Sequence, residues 1–408
     1  MTEKKINAII GQSGGPTAAI NATLAGVIRG LKKLDCVDRI YGAMNGIDGV
    51  IADTIKDIGS KITGEEDLFA LECTPSAALG SCRRKLPDVS DDEFYGKIFR
   101  RLEEYGIGMF FLIGGNDSMD TVDKLSKYAK KINHPIRIIG VPKTIDNDLE
   151  LTDHTPGYGS AAKYIATVCE EIAGDCAVYT TKAVTIVEIM GRDAGWLTAA
   201  AGIPRLYGLP CPDLIYLPEV VFDYEEFISS LNTLLGKKPN IVVAVSEGVR
   251  DRDGRYVGEG SQSGATDIFG HKYLAGTGKV LEQTVKDRIG CKVRSLELSL
   301  PQRCAGHCLS GNDIAESLMI GEAAVGYAAA GRTGEFAIFR RVPGEKYAVT
   351  PDAVPVALVA NQIKAVGRDY INAEGNNVTD ELLSLIAPLI EGTVDIPMVN
   401  GLPKRFSF

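Results

Sequence analysis

Five times along the chain, an unbroken run of β-branched and other apolar residues stops at a loop rich in glycine or Asx residues, and most of these loops open a helical pattern. KINAII leads into GQSGGPTAAIN and the helical NATLAGVIRGLKKL, and GIGMFFLI leads into GGNDS and MDTVDKLSKYAKKI. IRIIGV runs into PKTIDND, KAVTIVEI into MGRDAGWLTAAAG, and NIVVAV into SEG. Strands without polar alternation are buried on both faces, as in parallel sheets covered by helices. In such sheets ligands bind at the carboxyl ends of the strands, so these loops face a common site. Further on come the helical stretch KYLAGTGKVLEQTVKDRI, the strand VRSLELSLPQR and the helix DIAESLMIGEAAVGYAAA.

At 408 residues the chain exceeds the roughly 250–300 residues at which a single core stops growing, so two or three domains are expected. No Pro/Ser-rich linker marks a boundary. No stretch approaches the roughly 20 apolar residues of a membrane helix, and MTEKKINAII lacks the layout of a secretion signal, so a cytoplasmic protein with no membrane partner is expected. The net charge of −9 argues against nucleic acid as a partner. It leaves room for phosphorylated small molecules, which a few local cations and backbone N–H groups hold. Nine cysteines without a CxxC pair read as reduced thiols, and Cys304, His307 and Cys308 lack the second ligand pair of a zinc site.

The loops carry the chemistry. QSGGPT at 12–17 and IGGNDS at 113–118 resemble each other, each closing a strand and opening a helix. Gly14 and Gly15 either turn backbone N–H groups toward an anion or allow tight strand-to-helix packing. The GxGxxG dinucleotide fingerprint is absent. PKTIDNDL packs Lys143, Thr144, Asp146, Asn147 and Asp148 behind a buried strand. Asx residues there would cap a helix, while two acids beside a lysine would form a general base with a second group tuning it. Arg83 and Arg84 in GSCRR are either solvated or suited to a phosphoryl group. Arg192 is placed at a helix start, where a cation is unfavourable unless an anion sits there too. Glu247 suits sugar hydroxyls or a helix first turn, and Arg294 and Arg303 flank one strand and would reach a phosphate together.

Taken in order, GG at 14–15, GSCR, GGNDS, PKTIDND, MGR, SEG and the final R…PQR resemble the phosphofructokinase family, over about three quarters of the chain. The resemblance implies an α/β fold of two doubly wound Rossmann-like domains with mainly parallel sheets and the active site in the cleft between them. Residues 1–155 plus roughly 302–370 would bind the phosphoryl donor, and roughly 156–301 plus 371–408 the sugar phosphate. It implies that Asp146 takes the proton from the sugar 1-hydroxyl, with Asp148 and Thr144 in support and Lys143 meeting donor charge. Arg83, Gly14, Gly15, Gly115, Asp117 and Ser118 fall on the donor side. Thr144, Ile145, Asp146, Met190, Gly191, Arg192, Glu247, Arg294 and Arg303 fall on the fructose 6-phosphate side.

The resemblance also bears on the donor. ATP-using members typically have a glycine where this chain has Asp117, whose side chain would fill the path of a nucleotide's inner phosphate and repel it. With Lys143, this acid marks members that use inorganic pyrophosphate. The implied reaction is reversible transfer from pyrophosphate to fructose 6-phosphate, giving fructose 1,6-bisphosphate and phosphate, in a homodimer or homotetramer with Mg²⁺. The alternatives are an ATP-dependent 6-phosphofructokinase, a pyrophosphate-dependent kinase that also takes sedoheptulose 7-phosphate, and a non-catalytic relative. Asn116 stands where the family has a metal-holding aspartate, so Mg²⁺ is assigned to Asn116 or Asp117. Ala183 and Leu300 depart from the family's basic residue and its His or Tyr on the sugar side.

Overall fold

The computed structural model describes residues 5–209, 211–261 and 276–408. Two sheets organise them. The larger has the order β11–β10–β5–β4–β1–β2–β3, from β1 (Ile6–Gln12), β2 (Val37–Ala43), β3 (Ile55–Asp57), β4 (Ile107–Gly114), β5 (Arg137–Pro142), β10 (Glu335–Arg341) and β11 (Val349–Pro355). Its central strands are parallel, and only the outermost pairs, β2–β3 and β10–β11, are antiparallel. The smaller sheet, β7–β8–β6–β9, is parallel throughout, from β6 (Ala183–Ile189), β7 (Leu214–Tyr216), β8 (Asn240–Ser246) and β9 (Lys292–Glu297). These are the mainly parallel sheets the apolar runs imply, and two doubly wound units are what the resemblance implies.

Alternation along each strand explains why the runs carry no regular polar face. On β4, Phe110 and Leu112 face one helical layer while Met109, Phe111 and Ile113 face the other. On β6, Val184 and Ile186 face one layer and Val187 and Ile189 the opposite one. Both faces are dry, so, with Thr185 and Glu188 on β6 as buried polar exceptions, nearly every position is apolar. Burying one such side chain contributes about 1.5–3 kcal/mol.

Helices Ile20–Lys32 and Gly311–Ala329 cross the same face of the larger sheet and pack against one another. Glycine makes their close approach possible: a Cβ on Gly26 would lie 2.2 Å from the carbonyl oxygen of Leu318. Helix Gly311–Ala329 therefore stays with the first sheet although it follows all four strands of the second.

The chain crosses between the units more than once. After β11, residues Val366, Ile371, Val378, Leu382 and Leu383 join the core of the smaller sheet. The tail does not stay there, contrary to the assignment of 371–408 to one unit. Phe406 and Phe408 pack on the first sheet's core, and Phe406 donates its N–H to Thr74 Oγ1 at 2.9 Å. Of the helical stretch read from 272, residues 272–275 lie outside the described residues, and the helix runs Thr277–Arg288.

Candidate active site

Register brings the loops together. Gln12 pairs with Ile113, Gly114 with Pro142, and Ile189 with Ser246, so the glycine loops leave adjacent strands at the same edge. They enclose a cavity of 440 Å³ lined from both sheets, within the range of small-molecule sites.

On the donor side, Gly14 adopts φ +79°, a left-handed conformation that favours glycine, and its N–H donates to the Cys82 carbonyl at 3.1 Å. A Cβ there would lie 3.2 Å from Lys143 Nζ. Gly15 sits beside Arg303, whose guanidinium nitrogen would be 3.2 Å from a Cβ at that glycine. Gly115 caps the helix Asn116–Lys131, so its positive end faces the cavity, with Ser118 buried in the first turn. Asp117, in the same turn, is exposed and lines the cavity, and its carboxylate accepts no hydrogen bond among the described residues. The helix end itself favours an acid there, so Asp117 suits both the helix and the pocket.

Asn116, one of the two expected metal positions, is hydrogen-bonded at both ends of its amide. Its Oδ1 accepts from Asn361 N–H at 2.5 Å and its Nδ2 donates to the Gln362 carbonyl. With both ends of the amide taken, Asn116 clamps the segment 361–363 against the donor side, where Asn361 and Ile363 line the cavity. Both positions line the cavity, and of the two Asp117 alone brings a carboxylate to it.

The PKTIDND turn crosses the middle. Lys143 is buried and donates from Nζ to the Gly15 carbonyl at 2.6 Å. Burial pulls its ammonium down to about 8, opposed by the charges of Asp146 and Asp148. Asp146 N–H donates to Thr144 Oγ1 at 3.1 Å, and the Thr144 carbonyl accepts from Thr155 Oγ1 at 2.8 Å, so the turn is internally tied. Burial raises the Asp146 carboxyl, against the pull of Lys143 and Arg192. Burial and then the Asp146 charge raise Asp148 to about 7. Ile145 is buried in the second unit's core as well as lining the cavity.

On the acceptor side, Arg192, Met190 and Glu247 line the cavity. Gly191 is buried behind them at φ +126°, its carbonyl accepting from Ser246 Oγ at 2.6 Å. Arg192 is not at a helix start: the helix begins at Trp196, because Gly191 turns the chain through a loop first. The inference of an anion nearby stands on another observation. Arg192 Nε is buried without a hydrogen-bond partner among the described residues, a costly state for a donor. Burial and the nearby Asp146 charge push Glu247 up to about 8. Arg303 lines the cavity, held by the short helix Pro301–Cys304, whose Gln302 accepts from Met190 N–H at 3.1 Å. Arg83 lines the donor side, and Arg84 beside it is paired with Asp48.

Arg294 does not join Arg303 in this cleft. β9 ends at Glu297, leaving Arg294 mid-strand on the sheet's edge and exposed beside Lys292 and Tyr179. Ala183 lines that same hollow, and Leu300 is 54% exposed outside the cavity. The sequence reading missed Asp193, which lines the cavity next to Arg192 and raises Asp146, and the segment 361–364. Asp193 stood in the MGRD loop, one residue past the arginine; the segment offered no signal.

A divalent cation fits this site on the chemistry of its donors. Among the described residues no cluster of three or more His, Cys, Asp or Glu could cage a metal. A hard cation sharing one or two carboxylates with substrate phosphates needs only a residue such as Asp117.

A family model described as phosphofructokinase matches residues 7–325. The chain is 38% identical over 404 residues to a pyrophosphate–fructose 6-phosphate 1-phosphotransferase of Halomonas elongata, covering 98% of this chain and 95% of that one. It is 30% identical over 397 residues to a sulfofructose kinase of Alkalicoccus urumqiensis, covering 96% of each. The structure superposes on a pyrophosphate-dependent phosphofructokinase from Nitrosospira multiformis with a TM-score of 0.86 at 34% identity, covering 97% of this chain and 95% of that one. Matched by the family model over most of its length and by relatives over nearly all of it, the chain belongs to the phosphofructokinase family, as the order of its motifs implies.

Proposed function

We propose that the protein transfers a phosphoryl group reversibly between pyrophosphate and the 1-hydroxyl of fructose 6-phosphate, giving fructose 1,6-bisphosphate and phosphate. The observation that carries this reading is the placing of Asp146 within the cavity, among Lys143, Arg192 and Arg303, with the exposed Asp117 carboxylate at the donor end. Asp146 takes the 1-hydroxyl proton as that oxygen attacks the near phosphorus of pyrophosphate. The bond to the bridging oxygen breaks, and phosphate leaves. With its carboxyl raised by burial, Asp146 is a stronger base than an ordinary carboxylate. Lys143 and Arg83 neutralise charge on the donor, and Asp148 supports the base. Arg192, Arg303 and Glu247 hold the sugar phosphate, the arginines on its phosphate and the acid on its hydroxyls, with Thr144, Met190 and Gly191 shaping the pocket. Such a site works mainly by positioning and charge neutralisation.

Mg²⁺ would be held by the Asp117 carboxylate together with donor oxygens, and when bound it would neutralise phosphoryl charge. Asp117 favours the short diphosphate over ATP through its volume and its charge. The donor-binding unit would comprise 1–155 and roughly 302–370, and the sugar-binding unit most of the remainder. We place the protein in the cytoplasm; among the described residues no helix is long and apolar enough to cross a membrane. The name of the Halomonas relative supports this donor and acceptor, while the sulfofructose kinase relative and the changes at Ala183 and Leu300 make the acceptor worth testing. A homodimer or homotetramer fits Arg294, which lies outside this cleft and would meet the acceptor only across a subunit boundary. The test is a donor panel of pyrophosphate, ATP and ADP against fructose 6-phosphate and sedoheptulose 7-phosphate, in both directions. Turnover with pyrophosphate and fructose 6-phosphate is expected; brisk turnover with ATP and none with pyrophosphate would overturn the reading.

A further inference from the structure

Opposite the cavity, the two-acid turn is held by a residue from the far end of the chain. Lys364 is half-buried against residues 147–153. Its Nζ donates to Asn147 Oδ1 at 3.3 Å, to the Thr152 carbonyl at 3.0 Å and to the Asp153 carbonyl at 2.9 Å. Its own N–H donates to the Asp148 carbonyl at 2.9 Å. Four hydrogen bonds from one residue therefore fall on the segment that presents Asp146.

The turn needs holding. Asn147, between the two acids, has φ +53°, and Leu151 has φ +64°, both in a region that side-chain-bearing residues seldom occupy. Asn147 is only 2% exposed, so water does not satisfy its amide oxygen. A non-glycine residue persists there when its surroundings over-determine it. Here the surroundings converge on one ammonium. Three acceptors meet a group with three donors and no acceptor, a demand that neither glutamine nor the planar fork of arginine meets.

Lys364 is itself anchored to the acceptor side. Its ammonium lies 5.1 Å from the centre of the Trp196 ring, and its carbonyl accepts from Trp196 Nε1 at 2.8 Å. Two residues on, Val366 N–H shares Glu219 Oε1 with Gly195 N–H, each at 2.8 Å. On the other flank Asn361 is clamped by Asn116. The segment 361–366 thus spans the donor helix, the base turn and the acceptor loop.

We infer that Lys364 is a positioning residue for phosphoryl transfer, fixing the left-handed turn at Asn147 so that the Asp146 carboxylate faces the reacting hydroxyl. The inference rests on the reading of Asp146 as the base. Lys364 touches no substrate, so its removal should affect the rate of transfer and not the binding of either partner. Burial draws its ammonium down to about 8, while Asp153, Asp148 and Glu150 favour its charge.

The experiment uses full-length Lys364→Met and Lys364→Ala, assayed with whichever donor and acceptor the wild type turns over. Lys364→Met should lose kcat by about 100-fold, the scale of a small misplacement of a reacting group, with KM for donor and acceptor unchanged. Ethylamine added to Lys364→Ala should restore part of kcat. Asn147→Gly, which keeps the backbone geometry accessible and removes the acceptor oxygen, should also lower kcat. The double variant Asn147→Gly/Lys364→Met should be no slower than Lys364→Met alone, since the two share one interaction. Unchanged kcat in either single variant, losses that add, KM values rising in step with the fall in kcat, or no response to ethylamine would each overturn the inference. A wild type idle with pyrophosphate would instead sink the proposed donor, leaving this comparison intact on the donor it does use.

Discussion

Lys143 donates from Nζ to the carbonyl of Gly15 at 2.6 Å, joining the turn that carries the base to the loop that meets the donor. One buried cation therefore senses both substrates' reacting ends. Lys143→Met, close in shape and uncharged, should cut kcat by about 10²-fold, the cost of removing one preorganised charge at a reacting phosphoryl group. Steady-state kinetics with pyrophosphate checks this; a variant with wild-type kcat would remove Lys143 from the chemistry.

Asp117 stands exposed in the first turn of helix Asn116–Lys131 with its carboxylate directed at the donor side. Asp117→Gly should raise the ratio of ATP to pyrophosphate turnover by about tenfold or more, equivalent to ~1.4 kcal/mol of relieved repulsion and crowding. Losing an acid from a helix start should also lower stability by about 0.3–1 kcal/mol. Donor competition assays read the first effect and denaturant melts the second.

Burial raises both Asp146 and Asp148, the latter to about 7. The base must be unprotonated, so kcat/KM should climb with pH and level off above an inflection higher than that of an ordinary carboxylate. Asp148→Asn removes a negative neighbour, which makes ionisation of Asp146 easier and should move the inflection to lower pH. Asp146→Asn should lose about 10²–10⁴ in kcat. A pH–rate profile of the three proteins decides it: an inflection unmoved by Asp148→Asn would uncouple the pair.

A Cβ at Gly26 would lie 2.2 Å from the Leu318 carbonyl oxygen, so Gly26→Ala must push helices Ile20–Lys32 and Gly311–Ala329 apart. Alanine's better helix propensity offsets about 0.5–1 kcal/mol, against overpacking costs of about 1–3 kcal/mol. A net loss of stability is expected, read as a lower thermal midpoint, with KM for both substrates retained.

The loops that were legible in the sequence are those following strands buried on both faces, because an apolar run that ends abruptly at Gly-Gly or PKTID announces itself locally. Arg192 was placed one loop too far because a helical pattern after MGRD gave no hint that Gly191 would turn the chain first, delaying the helix to Trp196. Arg294 was grouped with Arg303 because VRSLELSLPQR reads as one strand, whereas Ser299 at φ +43° turns the chain after Glu297. Lys364 was invisible for a different reason. NQIK has no period and no motif, and its meaning comes from an Asn116 contact 245 residues away and an Asn147 contact 217 residues away.

The interleaving of the two sheets has a consequence for synthesis. β5, whose end launches the catalytic turn, pairs with β4 on one side and with β10 on the other, and β10 begins only at Glu335. On the ribosome, a nascent chain of some 330 residues would carry all four strands of the smaller sheet while one edge of β5 stayed open. The active turn is therefore among the last parts to gain its neighbours, and a polypeptide that stalls before that point offers a bare strand edge to chaperones or to another copy of itself.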